Sequence, residues 1–303
     1  MAFDLYFAGA KQKDADKYLL ENNANRLQSQ LFERSNILNW VDNKSDVSKL
    51  FVDSGAYTAY TKQTKLDVDD YIKFINSISE KLTIFAQVDK IPGEFRKPKT
   101  KEQILEAPKL SWQNYLYMRE RVNEPKKLVP IFHQGEDYKW LVNMLEWTDE
   151  NGEHIPYIGI SPAIDVKGIE YFLDKSFEII KNSNNQNVKT HAFGMTQLDL
   201  LEQYPYTSAD STFWKLCAAM GSIYTPYGVI YVSDRNKYEK KYIKNQPDEA
   251  YKNICKYIQE LGFTFEEISI SDACRYICNI KYLLNWANNY KYKGKSCKKF
   301  NLF

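Results

Sequence analysis

Short runs of β-branched and aromatic residues alternate with longer amphipathic stretches over most of this sequence. Such alternation is typical of parallel sheets, whose strands are joined by right-handed helical crossovers. The runs that we predict to be strands are Leu5–Ala8, Ile37–Trp40, Leu50–Val52, Leu82–Val88, Leu128–Phe132, Tyr157–Ile160, Val188–Phe193 and Tyr206–Ala209. In a chain of 303 residues this series favours an α/β fold, a closed (β/α)8 TIM-type barrel, which takes about 250 residues.

An open, doubly wound sheet is the alternative, but no Gly-rich dinucleotide fingerprint or phosphate-binding loop is found. Helical spacing of apolar residues predicts a helix over 67–80, and the capping box Thr100-Lys101-Glu102-Gln103 predicts one running toward Arg121. Two further helices are predicted to begin near Ile164-Asp165 and Thr196. The Lys- and Tyr-rich part after residue 235 has helical patterns over 249–261 and 272–290. We therefore predict a barrel domain over 1–235 and a helical C-terminal extension, 236–303, packed on it.

Composition excludes several classes of protein. Apolar residues make up 44% and charged residues 26%, which is ordinary for a soluble globular chain, and no apolar run approaches the roughly 20 residues of a membrane span. The first residues lack the basic and apolar regions of a secretory signal, and the five Cys suit a reducing compartment, so a cytoplasmic location is expected (the host cytoplasm for a phage-encoded chain). Because the net charge is only +2, a nucleic-acid partner would need a local basic patch.

The residues that carry chemistry in a barrel lie at the carboxyl ends of its strands. At the predicted strand ends stand Asp53, Asp89, His133, His191 and Asp210. Each has an ordinary structural explanation, since Asp89 fits a helix N-cap, Asp53 fits an Asx-turn, and either His could be buried without function. Together they indicate a site, because several carboxylates at one mouth raise one another's pKa.

These segments resemble those of the tRNA-guanine transglycosylases (queuine tRNA-ribosyltransferases), most closely the divergent phage and bacterial relatives that exchange guanine in DNA. The matching segments occur in the family's order between about residues 50 and 215: Asp53-Ser54-Gly55-Ala56-Tyr57, Asp89, Phe132-His133-Gln134-Gly135, Tyr157-Ile158-Gly159, His191-Ala192-Phe193-Gly194 and Ser208-Ala209-Asp210-Ser211-Thr212. The resemblance implies a barrel enzyme that replaces guanine in a nucleic acid with a 7-deazaguanine-type base, as in queuosine-related modification.

The resemblance also implies roles. Asp210 matches the nucleophile that attacks C1′ and forms a glycosyl ester, and Asp53 matches the general acid/base. Asp89 matches the carboxylate that recognises the base edge. The other candidate substrate-binding residues are His133, Gln134, Gly159, Tyr57, His191, Phe193 and Gly194, with the ring of Tyr57 or Phe193 available to stack on an extruded base. Two carboxylates at a sugar carbon also suit an oxocarbenium-like transition state on general grounds.

The sequence departs from the family's pattern at three places. The family's Gly-Gly-Phe-Gln is replaced by Gly55-Ala56-Tyr57-Thr58, and its aliphatic stretch ending Pro-Thr-Arg by Ser211-Thr212-Phe213-Trp214. The family's structural zinc site, three Cys and a His, is missing because no His follows His191. Cys274 and Cys278 with Cys255 or Cys297 could form a thiolate site, but we expect buried free thiols, no zinc and no cofactor. The missing zinc site favours DNA over tRNA as the substrate.

Two basic clusters, taken together, are candidates for phosphate contacts beside the mouth, although each taken singly is better explained as a solvated helix face or a frayed tail. Their members include Lys237, Lys240, Lys241 and Lys244, and Lys291, Lys293, Lys295, Lys298 and Lys299. The expected partners are DNA or tRNA, free guanine and a 7-deazaguanine base, with no membrane. Two other functions stay open: a metal-dependent hydrolase using Asp53, His133, His191 and Asp210, and a non-catalytic barrel that binds a nucleobase or nucleic acid.

Overall fold

The strands of the protein form one parallel sheet that closes on itself. The computed structural model describes residues 3–9, 13–163, 168–195 and 197–295. Its barrel strands are β1 Asp4–Ala8, β2 Asn25–Ser29, β3 Leu50–Asp53, β4 Ile84–Ala86, β5 Leu128–Val129, β6 Ile131–His133, β7 Tyr157–Ser161, β8 Lys189–Ala192 and β9 Ser208–Ser211. They pair in the order β5-β4-β3-β2-β1-β9-β8-β7-β6. Because β5 and β6 are halves of one strand interrupted by Pro130, the two edges meet, and the predicted α/β barrel is confirmed.

Helices surround the barrel and continue into the C-terminal part. They are α1 Lys13–Glu21, α2 Gln30–Asn43, α3 Ala56–Lys62, α4 Val68–Ile78, α5 Lys101–Arg119, α6 Lys139–Glu146, α7 Ile169–Asn182, α8 Leu198–Gln203, α9 Phe213–Ala219, α10 Asp248–Glu260, α11 Phe265–Ile270 and α12 Asp272–Asn288. The predicted capping box is present at the start of α5, with both reciprocal hydrogen bonds between Thr100 and Gln103. Ile164-Asp165 and Thr196 lie outside the described residues. Within the described ranges, no helix combines the length and apolarity needed to cross a membrane.

The second strand lies elsewhere than the sequence predicts. Ile37 and Trp40, predicted in a strand, lie in α2, where their spacing of three places both on its buried face. The actual strand, β2, has few apolar residues, and its Arg26 is fully buried. Arg26 donates to the Phe7 carbonyl at 2.7 Å and lies 3.1 Å from Asp16. A buried cation of this kind is tolerated because it is paired and hydrogen-bonded, which a strand pattern does not reveal.

Apolar residues fill two layers of the barrel, one between sheet and helices and one inside the sheet. The inner layer consists of Tyr6, Ala8, Leu27, Phe51, Ile84, Ala86, Val129, Ile131 and Tyr157, with Phe193 packed against it. Side chains alternate between the two faces along each strand. The residue two positions after an inward-facing residue therefore also faces the barrel axis. This parity directs Asp53, two residues after Phe51, and His133, two residues after Ile131, to the mouth. Asp210 lies level with inward-facing Tyr6 in the pairing of β1 with β9.

A third apolar cluster holds the C-terminal part together. An antiparallel hairpin, β10 Ser222–Thr225 and β11 Gly228–Tyr231, contributes to it along with α10, α11 and α12. Asn279 of α12 links this part to the barrel side: its Oδ1 accepts the Tyr224 N–H at 2.8 Å, and its Nδ2 donates to the Trp214 carbonyl at 2.9 Å. The division of the chain at residue 235 stays a prediction.

Candidate active site

The barrel brings the predicted acidic and histidine residues together at its mouth. Asp53 and His133 are the last residues of β3 and β6, and Asp210 is next to last in β9. Asp89 follows β4 closely, and His191 lies in β8. The charges of Asp89 and Asp210 both act on the pKa of Asp53, so the three carboxylates share one site.

Asp53 is held in the predicted Asx-turn. Its Oδ2 accepts the backbone N–H of Gly55 at 2.9 Å. Gly55 has a φ of +84°, and a Cβ there would lie 2.7 Å from both Leu31 Cβ and Ser29 Oγ, so the turn requires glycine. Burial raises the pKa of Asp53 to about 6, against the lowering effect of the Gly55 hydrogen bond. A carboxyl group with this pKa exchanges protons readily near neutral pH.

Asp210 is fixed by one carboxylate oxygen and leaves the other unbonded. Its Oδ1 accepts the backbone N–H of Gly194 at 2.9 Å and lies 3.2 Å from His191 Nε2. No hydrogen bond reaches its Oδ2 from the part of the chain that the structure describes. The residue is only 7% exposed, so its orientation is set by these donors. One oxygen is therefore available to a ligand in the mouth.

A buried hydrogen-bond chain stands behind Asp210. His191 Nδ1 lies 2.6 Å from Ser208 Oγ, which lies 2.6 Å from the Tyr157 hydroxyl. Burial lowers the pKa of His191, against the raising effect of Asp210, so the imidazole is neutral near neutral pH. Because a carboxylate only accepts, the single ring N–H must be on Nε2, and Nδ1 accepts the Ser208 hydroxyl. The Phe51 ring packs edge-on against the imidazole at 4.7 Å and limits its rotation.

Asp89 and His133 form an ion pair on the other side of the mouth. Asp89 Oδ2 lies 3.1 Å from His133 Nε2, and its Oδ1 accepts the Gln87 side-chain amide at 2.5 Å. Burial lowers the pKa of His133, but the charge and hydrogen bond of Asp89 outweigh it, with help from Glu136, and raise it to about 9. Burial also raises the pKa of Glu136 to about 7, against the lowering effect of His133. A base that binds Asp89 must therefore compete with two donors already in place.

The remaining predicted substrate residues differ in how far they reach the mouth. Gln134 accepts the Ala163 N–H through its side-chain oxygen at 2.9 Å, which leaves its NH2 group without a protein acceptor among the described residues. Tyr57 lies in the first turn of α3 and is 69% exposed, so its ring extends into solvent at the rim. Gly194 contributes the backbone N–H that holds Asp210.

Gly159 lies beneath the Phe193 ring. A Cβ built at residue 159 would lie 2.4 Å from Cε2 of that ring and 3.2 Å from Ile131 Cγ1. The ring also packs against His191, with centroids 4.5 Å apart, and against Phe51 at 5.5 Å. The Phe193 ring, rather than Gly159 itself, is therefore the surface that faces the mouth here.

We expect Gly159→Ala to destabilise the fold because the new methyl group displaces the Phe193 ring. Overpacking of this kind costs about 1–3 kcal/mol, which lowers the Tm by several degrees. Thermal unfolding of the variant measures this cost. In a Phe193→Leu background the same substitution should cost less, since the smaller side chain can move aside. Equal costs in both backgrounds would show that the ring contact does not restrict residue 159.

The two basic clusters lie away from the mouth. Lys293 Nζ pairs with Glu202 at 2.6 Å, and Lys295 pairs with Asp174. Just before them, the Tyr290 ring stacks against Phe3, which precedes β1 at the amino end of the barrel. Lys298 and Lys299 lie outside the described residues.

The other cluster, Lys237, Lys240 and Lys241, is exposed in a loop after β11. Arg235 and Asn236, immediately before this loop, donate to the carbonyls of Ala219 and Met220. These carbonyls lie at the end of α9 that is farther from the mouth. The structure therefore brings none of Lys237, Lys240, Lys241, Lys293 and Lys295 beside the carboxylates.

Potential metal ligands do not cluster in the described ranges. No group of three or more His, Cys, Asp or Glu there has an arrangement that could hold a metal ion. Cys217, Cys255, Cys274 and Cys278 are free thiols, and Cys297 lies outside the described residues.

Three residues of the site were not predicted from the sequence. Gln87 is fully buried, donates to Asp89, and keeps a side-chain oxygen without a hydrogen-bond partner among the described residues. Ser208 links His191 to Tyr157, and Glu136 accepts the His133 backbone N–H at 3.2 Å. A signal existed for two of them: Gln87 is the polar residue in the run Phe85–Val88, and Ser208 precedes Asp210 by two positions and so shares its side of the strand.

Comparison of the chain with protein-family models finds no match, and a search of curated proteins finds none either. The site is therefore interpreted from its own chemistry. It holds Asp53, whose pKa burial raises to about 6, and Asp210, which has a fixed orientation and one oxygen that no donor among the described residues reaches. A carboxyl group that can exchange a proton, next to a second carboxyl group that can attack, is the usual equipment for acid–base and nucleophilic work at a glycosidic carbon.

Proposed function

We propose that this protein is a transglycosylase that exchanges guanine in a nucleic acid, DNA in preference to tRNA, for a 7-deazaguanine-type base. The observation that carries the proposal is the unequal pair of carboxyl groups at one barrel mouth. No donor among the described residues bonds the second carboxylate oxygen of Asp210, and burial raises the pKa of Asp53 to about 6. The ordered segments that resemble the guanine transglycosylases supply the choice of base and of bond.

In the first step, Asp210 Oδ2 attacks C1′ of the target nucleotide while the bond from C1′ to the guanine N9 breaks. Protonated Asp53 gives its proton to the departing guanine, so a neutral base leaves and a glycosyl ester remains on Asp210. The neutral His191 helps because it donates a hydrogen bond to Oδ1 without placing a full positive charge beside the nucleophile. The carboxylate thus keeps the negative charge that stabilises an oxocarbenium-like carbon.

In the second step, the incoming base loses its N9 proton to ionised Asp53 and attacks C1′, which breaks the ester and releases Asp210. Each step forms one bond and breaks one bond at C1′, and the proton that Asp53 gave away is returned. A covalent intermediate lets a second base, rather than water, complete the reaction if the mouth is closed to solvent. In both steps the base stacks on the Phe193 ring; the packing of this ring against His191 and over Gly159 supports that role.

The test is incorporation of radiolabelled guanine. The protein is incubated with labelled guanine and, in separate reactions, with duplex DNA or bulk tRNA, and the acid-precipitated polymer is counted. Exchange of guanine for guanine leaves the polymer otherwise unchanged, so the retained label reports the exchange itself. We expect label on DNA and less on tRNA, because the family's zinc site is missing from this sequence. Label on tRNA alone would reverse the substrate preference, and label on neither polymer would contradict the proposed function.

A further inference from the structure

The loop that leaves the site after Asp89 is rich in positive charge. This segment, residues 90–101, is named here the basic arm. It contains Lys90, Arg96, Lys97, Lys99 and Lys101 against the single acidic residue Glu94, a net charge of +4. The whole chain carries +2, so all other residues together carry −2. A nearly neutral protein therefore carries a strongly cationic segment that begins directly after one of its site carboxylates, Asp89.

The arm is anchored to both sides of the mouth. At its start, the Lys90 backbone N–H donates to Ser111 Oγ at 2.9 Å, immediately after Asp89. In its middle, the Phe95 ring packs edge-on against Tyr60, with centroids 5.8 Å apart. Tyr60 belongs to α3, which begins just after the Asp53 turn. The arm thus extends from one carboxylate of the site to the helix that follows another.

The cations of the arm are available to a ligand. Lys97 pairs with Glu94 at 2.6 Å, but both side chains are mostly exposed, and such pairs contribute little. Arg96 and Lys99 lie over the rings of Phe95 and Tyr60, at 5.1 and 5.7 Å. Among the described residues, no carboxylate forms an ion pair with Arg96, Lys99 or Lys101. These side chains are exposed and can turn toward an anion.

Exposed aromatic rings accompany these charges at the rim. Tyr57 of α3 is 69% exposed and Phe32 of α2 is 51% exposed. Lys62 Nζ lies 4.0 Å from the centroid of the Phe32 ring. Cations that follow a backbone, together with rings on which bases stack, are the usual combination for binding unpaired nucleotides.

We propose that the basic arm, with Tyr57 and Phe32, binds the nucleic-acid strand on either side of the nucleotide whose base enters the mouth. The lysines and Arg96 contact phosphates, and the two rings stack on bases that are unpaired when the target is extruded. The choice of a nucleic acid as the occupant rests on the proposed function. The basic arm thus takes the place of the two lysine clusters as the proposed phosphate-binding surface, because the described lysines of those clusters lie away from the carboxylates.

The test compares two triple variants with the same change of charge. In one, Arg96→Ser, Lys99→Ser and Lys101→Ser remove cations of the arm; in the other, Lys237→Ser, Lys240→Ser and Lys241→Ser remove those of the distant loop. Binding of fluorescein-labelled single-stranded and duplex DNA, and of labelled tRNA, is measured by anisotropy over a range of salt. We expect the arm variant to bind more weakly and its log–log salt slope for duplex DNA to fall by up to about 2.7, at about 0.9 per phosphate contact.

These binding measurements need no base exchange, so the two proposals fail separately. Unchanged affinity and slope in the arm variant, or a loss confined to the distant-loop variant, would overturn the arm as the binding surface even if guanine exchange is observed. Loss of binding in the arm variant of a protein that exchanges no base would support the arm and contradict the transglycosylase. Circular dichroism of both variants confirms that the barrel remains folded.

Discussion

Asp210→Asn is expected to abolish guanine exchange while the barrel stays folded and binds nucleic acid as before. Asn keeps an oxygen that can accept the hydrogen bonds from Gly194 and His191, so the geometry at the end of β9 is preserved. It lacks the anionic oxygen that attacks C1′, so no glycosyl ester forms. Loss of a nucleophile in covalent catalysis costs about 10⁴-fold to 10⁶-fold in rate, and the incorporation assay measures this loss.

Two controls make this result specific. Denaturing electrophoresis of protein incubated with DNA, without added base, should show a covalent protein–DNA adduct for the natural sequence and none for Asp210→Asn. Anisotropy with duplex DNA should give the same affinity for both proteins, because Asp210 is not one of the residues proposed to contact phosphates. Full exchange activity in the variant, or an adduct that persists, would contradict Asp210 as the nucleophile.

The acidic residues of the mouth could be predicted from the sequence because the signal for them is local. Asp53, His133 and Asp210 each directly follow a predicted strand, and in a parallel barrel the carboxyl ends of the strands meet. The protonation states could not be predicted in the same way. The pKa of Asp53 depends first on burial. The pKa of His133 is raised to about 9 because the fold brings this residue, 44 positions later in the sequence, into contact with Asp89.

The errors share one cause, which is that the deciding contacts are distant in sequence. β2 was not predicted because its burial depends on Arg26, whose partners Asp16 and Phe7 lie in other elements. The lysine clusters were predicted from charge alone. Lys293 follows α12 and lies near the amino end of the barrel, where it pairs with Glu202, a residue remote in sequence. Charge density alone does not single out the basic arm, because the role proposed for it depends on its position beside Asp89.

The second large effect is expected from Asp53→Asn, and it has a signature in the pH dependence. In the first step Asp53 must be protonated, so kcat/KM for the nucleic acid should fall as the pH rises through about 6, the value to which burial raises the pKa of Asp53. In the second step Asp53 must be ionised, so kcat/KM for the incoming base should rise with pH. When kcat/KM is plotted against pH, the limb for the nucleic acid should therefore fall and the limb for the incoming base should rise.

The midpoints of the two limbs should also differ. The charge of Asp210 contributes to the raised pKa of Asp53 in the free protein. Formation of the glycosyl ester removes that charge, so the pKa of Asp53 falls in the intermediate. The limb for the incoming base should thus have its midpoint below about 6, on the acid side of the limb for the nucleic acid.

Asp53→Asn should remove both limbs and lower the rate by about a hundredfold to ten-thousandfold, the usual contribution of a general acid–base group. The matched control is Glu136→Gln, since burial raises the pKa of Glu136 to about 7 and it could produce a similar limb. Steady-state kinetics over a range of pH separates the two carboxyl groups. Limbs that persist in Asp53→Asn and vanish in Glu136→Gln would assign the proton transfer to Glu136, and the role proposed for Asp53 would be wrong.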